Sequence, residues 1–328
     1  MKVIVFGGSG FLGSHVADAL TEAGHQVAVF DRKPSPYLGP DQRMIRGDIL
    51  DLPAVAEAVR GHEVVYNFAA IGDLSEANQR PYDTVRINIL GHTAILEAAR
   101  VHGVRRLAFA SSIYVYSDSG DFYRTTKQAG ELLLENYQRV YGLPYTVLRY
   151  GSIYGDRADE HNWIHRVLKQ AVTEGRIVRY GDGEEIREYI HVRDAARCSV
   201  EILSPAFENQ NVVITGPHPI RVKDLLTMIR ELMGNRIQVE YRPPDDAGNP
   251  YSPRLHYQIT PYAFKPKMGR KLISNYYTDL GEGLLNCLAE LHARYAPTDA
   301  GAVRQGPAVT GPEECQAGMN PAPTPPRT

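Results

Sequence analysis

Cysteine is scarce in this chain. Its 328 residues include only Cys198, Cys287 and Cys315, scattered and odd in number, which excludes a disulfide framework and predicts a reducing, cytoplasmic setting. An excess of one charge is missing too. The 36 Lys and Arg against 38 Asp and Glu give a formal net charge of -2, and that balance calls for neither nucleic acid nor an anionic membrane as partner. No apolar run is long enough to cross a bilayer, and no charged-then-apolar leader opens the sequence, because the first apolar stretch gives way to glycine at Gly7. The 11 histidines are dispersed and no His, Cys and Asp set has metal-ligand spacing, so no metal is expected. What remains is a chain long enough for a large core, with one doubly wound α/β domain and a smaller lobe.

Two short strings carry most of the chemistry. Lys2-Val3-Ile4-Val5-Phe6 reads as a buried strand, Gly7-Gly8-Ser9-Gly10-Phe11-Leu12-Gly13 follows it, and Phe11 to Glu22 has apolar residues at helical spacing. A strand, a glycine turn and a helix N-terminus hold a dinucleotide pyrophosphate: Gly7 for the turn, Gly10 for close approach of backbone amides, Gly13 for helix–strand packing. Gly7, Gly10, Phe11, Leu12 and Gly13 are therefore candidate cofactor contacts. The strand Gln26-Val27-Ala28-Val29-Phe30 ends in Asp31, about twenty residues beyond the turn, where a carboxylate accepts from both ribose hydroxyls and repels a 2'-phosphate. That selects NAD over NADP, although Arg32, also counted with the cofactor residues, and Lys33 soften the preference.

The second string is Tyr123-Arg124-Thr125-Thr126-Lys127. A free phenol has a pKa near ~10 and is a poor base at neutral pH. An ammonium beside it, with the positive charge of bound NAD, favours the phenolate. On a helix, i and i+4 put Tyr123 and Lys127 on one face, and Ser112 at a strand end holds the same substrate oxygen. Between the strings, Glu63 to Phe68, Arg106 to Ala110 and Tyr145 to Arg149 read as strands, and Val85 to Ala99 and Thr125 to Val140 as helices, a βα alternation that predicts a parallel sheet with helices on both faces. Farther on, Val222 to Met233 reads as a helix, Ile237 to Tyr241 as a strand and Thr278 to Arg294 as a last amphipathic helix. The expected division is a Rossmann domain over 1–156, to which 176–204 returns, a substrate lobe over 157–295, and a Pro- and Gly-rich disordered tail over 296–328.

These motifs, in this order, resemble the extended short-chain dehydrogenase/reductases, particularly nucleotide-sugar epimerases and dehydratases, over roughly the first 290 positions. The resemblance rests on Gly7-x-x-Gly10-x-x-Gly13, Asp48-Ile49, Asn67-Phe68-Ala69-Ala70, Asn88 with Gly91, Ser111-Ser112, Tyr123-x-x-x-Lys127 and Arg187-Glu188-Tyr189-Ile190-His191-Val192-x-Asp194. It implies that Asp48 and Ile49 flank the adenine, that Ala69 and Ala70 line the pyrophosphate, that Asn88 steadies the cofactor side of the sheet, and that Ser111 and Tyr150 border the cofactor, with Tyr150 near the nicotinamide. It further implies that Arg187 and Asn162 hold the diphosphate of a nucleotide sugar, and that the protein is a homodimer joined through the Val85 and Thr125 helices. Arg187 has a rival as a surface partner of Glu184 or Glu185, and Asn162 as a plain helix cap.

The departures also matter. Many dehydratases of this family carry an Asp-Glu pair after the catalytic hydroxyl. This chain has Ile113-Tyr114, which disfavours elimination of water; Tyr114, counted with the substrate residues, reads as a packed strand aromatic, with proton donation as its alternative. Only Ser117 to Phe122 precede Tyr123, a short roof that leaves room for a bulky sugar, and Ser152 stands where relatives have Asn. The expectation is an NAD-dependent nucleotide-sugar epimerase acting at C4 through a keto sugar. A 4-keto reductase, a dehydratase and a non-catalytic NAD-binding regulator are the alternatives. A basic stretch, Arg254, Lys265, Lys267, Arg270 and Lys271 with Tyr251, Tyr257 and Tyr262 interleaved, reads as a solvated loop face, with contact to a substrate carboxylate or phosphate as the sharper alternative.

Overall fold

Seven parallel strands form the main sheet in the order β10-β6-β5-β4-β1-β2-β3. These are β1 (Lys2–Phe6), β2 (Gln26–Asp31), β3 (Gln42–Arg46), β4 (Val64–Asn67), β5 (Arg106–Ser112), β6 (Tyr145–Tyr150) and β10 (Gln210–Ile214). The computed structural model describes residues 1–246, 249 and 256–261. The predicted helix over 278–294, the tail, and every member of the basic stretch except Tyr257 lie outside the described residues.

The strand sequences are apolar on both faces because both faces are covered. Alternation along β1 sends Ile4 and Phe6 into one buried cluster with Ile95, Leu96 and Leu134. Val3 and Val5 enter the other, with Val16, Leu20 and Ala195. The helices are α1 (Phe11–Glu22), α2 (Leu52–Val59), α3 (Leu74–Gln79), α4 (Pro81–Val85), α5 (His92–Val101), α6 (Asp121–Tyr141), α7 (Trp163–Glu174), α8 (Val192–Glu201) and α9 (Val222–Leu232). The order of connection reverses between β1 and β4, so a crevice opens at their carboxyl ends, where open α/β sheets take ligands.

Three details differ from the sequence expectation. The single helix expected over Val85 to Ala99 is broken by a π-helical turn, Arg86–Gly91, between α4 and α5. The wider turn buries Asn88, and Gly91 yields its space to Ile49, whose Cδ1 lies 2.5 Å from where a Cβ would stand. Helix α6 starts at Asp121, before the predicted Thr125, so Tyr123 and Lys127 both lie inside it. The strand that completes the sheet beyond β6 is β10, which the periodicity did not reveal.

A smaller lobe carries two further sheets. In one, β9 (Ile186–His191) lies between β7 (Ser152–Tyr154) and β11 (Pro219–Arg221); in the other, β8 (Arg176–Tyr180) pairs with β12 (Gln238–Arg242). Of the stretch 176–204, α8 packs its apolar side with α1 in the second cluster, whereas β8 belongs to the lobe. The lobe has its own core of Val167, Ile177, Val222, Leu226 and Ile229.

Candidate active site

The turn after β1 is shaped for an anion. Gly7 has φ +76 and a Cβ there would stand 2.6 Å from the Ala69 nitrogen, so β1 and β4 end almost in contact. Gly13 allows α1 to sit on the turn: a Cβ would stand 2.3 Å from the Gly7 carbonyl oxygen. The α1 N-cap is Gly10, which offers no side chain to the first turn, and the helix therefore presents unsatisfied amides and the positive end of its dipole. Beside it, the Asp31 carboxylate accepts from the Ser9 and Lys33 backbone amides at 3.2 and 3.1 Å. An amide cradle with a carboxylate twenty residues on fits NAD.

A cleft of about 620 Å³ runs from this turn into the lobe. Of the residues singled out by sequence, Gly7, Gly10, Phe11, Leu12, Gly13, Ala70, Ser111, Ser112, Tyr114, Tyr123, Lys127, Tyr150, Ser152, Asn162 and Arg187 line it. Arg32 and Asp48 line a smaller hollow with Arg46 and Gly47, next to Asp31. Asp31, Ile49, Ala69 and Asn88 line neither.

Ser112, Tyr123 and Lys127 meet because β5 and the start of α6 converge. Ser112 ends β5 and its Oγ accepts from the Tyr114 amide at 3.3 Å. That bond caps a 3-10 turn, Ile113–Tyr116, so Tyr114 stands on a turn and not on a strand. Lys127 is buried, donates from Nζ to the Ala110 carbonyl at 2.7 Å, and lies 5.6 Å from the centre of the Tyr123 ring. Burial pushes the Tyr123 phenol up to about 12, against the lowering effect of its hydrogen bond with Ser112. Burial draws the Lys127 ammonium down to about 8, opposed by Glu131. Desolvation is the larger of the two effects on Tyr123 and keeps the phenol protonated at neutral pH, above the near-neutral value expected from the Lys127 spacing.

Several candidates are committed to structure. Asn88 accepts at Oδ1 from the Ile71 amide at 2.8 Å and donates from Nδ2 to the Ile71 carbonyl and Thr126 Oγ1, both at 3.0 Å, so it ties the loop after β4 to α6. Ser111 donates to Glu131 at 2.5 Å, and Glu131 takes Arg149 in two bonds of 3.0 and 2.6 Å. That ion pair is tied through Glu131 to Ser111, the residue before Ser112. The Tyr150 hydroxyl is held by Ser199 at 2.6 Å, which leaves its ring at the cleft. Asn162 caps α7, accepting from the His165 amide at 3.1 Å, and donates to the Ile153 carbonyl at 2.8 Å.

Arg187 does not pair with Glu184 or Glu185. Glu185 pairs with Arg179, and Glu184 with Lys223 and Arg221. The Arg187 guanidinium instead lies 4.2 Å over the ring of Tyr257 and has no carboxylate partner among the described residues. Sequence reasoning missed its neighbours. Arg166, Arg179, Tyr189 and His256 all line the cleft, Trp163 stacks on Tyr189 at 6.3 Å, and Arg179 lies 5.7 Å over Trp163. The one signal available was Arg and aromatic residues alternating through β8 and β9. Tyr257, taken as part of a solvated stretch, is buried. Among the described residues no cluster of His, Cys, Asp and Glu could hold a metal ion, and no helix is long and apolar enough to cross a membrane.

The NAD dependent epimerase/dehydratase family matches residues 3–215. A UDP-glucose 4-epimerase of Corynebacterium glutamicum is 30% identical over 282 residues, covering 76% of this chain and 85% of that protein. The crystal structure of a Thermotoga maritima UDP-glucose 4-epimerase with UDP-glucose is similar at a TM-score of 0.71 and 26% identity, covering 80% of this chain and 90% of that one. A Bacillus cereus UDP-glucuronic acid 4-epimerase, solved with UDP-glucuronic acid and NAD, gives 0.68 and 25%, covering 74% and 86%.

Proposed function

We propose that this chain, which belongs to the NAD dependent epimerase/dehydratase family, is a 4-epimerase of a nucleoside-diphosphate hexose, with a UDP-hexose as substrate. The observation that carries the reading is the convergence of Ser112, Tyr123 and Lys127 in one cleft with the glycine turn at one end and Arg187 at the other. The diphosphate is assigned to Arg187, with Arg166 and Arg179 near it, since planar guanidinium groups match phosphate oxygens. The hexose then reaches Ser112 and Tyr123.

Ser112 holds the C4 hydroxyl and Tyr123, as phenolate, removes its proton. NAD would be held by the Gly7, Gly10 and Gly13 turn with Asp31 toward its ribose, and would supply a hydride acceptor regenerated within the cycle, so that no net redox change results. Lys127 lowers the cost of the phenolate. With the ketone turned to its other face, Tyr123 gives the proton back to the oxygen and Ser112 again holds it. Elimination is disfavoured because Ile113 and Tyr114 offer no carboxylate beside Ser112. Incubation with UDP-glucose, UDP-glucuronic acid and dTDP-glucose, with products resolved by NMR, tests the assignment: one C4 epimer at equilibrium is expected, and a 4-keto-6-deoxy product would overturn it.

The adenosine end gives a prediction. Asp31→Asn keeps one of the two amide-accepting oxygens and removes the charge that repels a 2'-phosphate. The preference for NAD over NADP is expected to fall by about tenfold or more, the scale of one charged hydrogen bond. Titration calorimetry with both dinucleotides checks this, and an unchanged ratio would remove Asp31 from the role.

A homodimer through the two long helices is also part of this reading. Tyr82, Leu90 and Val101 on the 81–101 stretch, and Leu132, Val140 and Tyr141 on α6, are large apolar residues left exposed, more than chance scatter leaves on two adjoining helices. Light scattering is expected to give twice the chain mass, and Leu132→Asp to give the monomer. A monomer at micromolar concentration in the unsubstituted protein contradicts it. The free Cys198 and the scarcity of cysteine support a reducing compartment such as the cytoplasm.

A further inference from the structure

The sugar end of the cleft is closed by residues 142 positions apart in the sequence. Tyr114, two positions after Ser112, sets its ring edge-on to Tyr123 with centroids 6.2 Å apart and planes at 83°. Its hydroxyl is 2.7 Å from His256 Nδ1, across 142 positions of chain. His256 is delivered by a segment fixed to β9: the Ile186 amide donates to the Gln258 carbonyl at 2.8 Å, and Ile186 and Ile259 form a β-bridge. Between them Tyr257 lies 4.8 Å from Tyr114 and 4.2 Å under Arg187. Contacts therefore run unbroken from the catalytic tyrosine to the arginine assigned to the diphosphate.

We propose that Tyr114 and His256 act as a positioning pair that retains the keto sugar while it turns between the two half-reactions. The inference rests on the epimerase reading given above. Once C4 has lost its hydrogen and electron pair to the cofactor and its hydroxyl proton to Tyr123, escape of the ketone leaves reduced cofactor in the protein and ends the cycle. The ketone must stay, yet it must also rotate, so strong directional bonds to the hexose would defeat the reaction. An aromatic wall meets both demands: dispersion contacts with ring faces are individually weak and insensitive to direction. The hydrogen bond to His256 stops Tyr114 from swinging out of the wall.

The chemistry of the pair agrees with a holding role. Desolvation among the cleft side chains, then the neighbouring Arg187, Arg179 and Arg166, lowers the His256 imidazole to about 4, against Asp73, although part of the His256 surface stays open to solvent. His256 is thus neutral at neutral pH and, as the tautomer protonated on Nε2, accepts the Tyr114 proton at Nδ1. Burial and the Tyr257 phenol push the Tyr114 hydroxyl well above the ordinary phenol value, with Arg187 opposing. A phenol so placed is a poor acid or base for the neighbouring carbons. The short Ser117 to Phe122 roof now has a different reading: the wall it fails to supply comes from His256 and Tyr257.

Tyr114→Phe and His256→Gln test the pair from its two sides, and neither removes much volume. Each variant and the parent, loaded with NAD, is given UDP-glucose, or whichever nucleotide sugar the parent turns over. Ketone free in solution is trapped with borodeuteride and counted by mass spectrometry against epimer formed. The parent is expected to release almost none. Each variant should release about tenfold more ketone per epimer, the scale of one hydrogen bond, and build up fluorescence of reduced cofactor, with UDP affinity unchanged. The double variant should do no more than either single one. Unchanged release in both folded variants, or effects that multiply in the double variant, would overturn the pair while leaving the epimerase intact. A parent that makes neither ketone nor epimer from any nucleotide sugar overturns the epimerase reading, and this inference with it.

Discussion

Tyr123→Phe is expected to lower turnover by about 10²- to 10⁴-fold, the range that a positioned acid–base group contributes, and to leave NAD binding nearly unchanged. The half-buried Tyr123 ring lies beside Ser112 and the Lys127 side chain, and phenylalanine keeps the ring and its edge-on contact with Tyr114. Only the proton acceptor is lost. Titration calorimetry with NAD, beside steady-state rates, separates the two effects, and a variant with a tenth or more of parental turnover would remove Tyr123 from the chemistry. The pH dependence follows from the same two groups. With the phenol held up at about 12 before cofactor binds, turnover should rise with pH as more phenolate forms. With the ammonium drawn down to about 8, that support fades above this value and the rise should flatten or reverse. In Lys127→Met the rising limb should move to higher pH, because the phenolate has lost a compensating charge. A limb that stays in place would show that Lys127 does not act on Tyr123.

Gly13→Val should abolish measurable NAD binding and lower stability by about 1–3 kcal/mol, the usual range for forcing extra carbon into a packed site. The first carbon added would stand 2.3 Å from the Gly7 carbonyl oxygen and 3.0 Å from Gly7 C and Gly8 Cα. All three are backbone atoms of the turn, so no side chain can move aside. Relief comes only by lifting α1 away from β1, which moves the amides of its first turn off the pyrophosphate position. Thermal melts with and without NAD check both parts: the apo protein should melt lower, and NAD should no longer raise the midpoint. A variant that melts lower yet still gains from NAD would mean that the cradle tolerates the shift.

What could be read in the sequence was local. β1 and β5 are continuous apolar runs because both faces are buried, and their glycine and serine ends are fixed by position along the chain. The Tyr123 and Lys127 spacing also says what it needs to, since i and i+4 share a helix face. Strand β3 escaped notice because its residues Gln42 to Arg46 are only half buried at the sheet edge, with too little apolar signal to register. The π turn at Arg86–Gly91 has no periodic signature of its own. The remaining site features depend on contacts between distant segments. Ser111 with Glu131 and Arg149, Tyr150 with Ser199, and Tyr114 with His256 each join elements whose meeting is set by sheet order, and no local pattern encodes that order. The same limit explains the Tyr123 phenol: the i+4 spacing to Lys127 was visible, while the burial that raises the phenol was not.

The most direct test of the account is the fate of solvent hydrogen during turnover. Reaction with UDP-glucose, or with whichever nucleotide sugar proves to be the substrate, is run in deuterated water and the product is read by NMR and mass spectrometry. The hydrogen of C4 leaves and returns without meeting solvent, and the Tyr123 proton reaches only an exchangeable oxygen. The C4 epimer should therefore carry no carbon-bound deuterium. Stoichiometric deuterium at C3 or C5, or a product lighter by one water, would contradict the C4 mechanism and assign the cleft to enolisation or elimination.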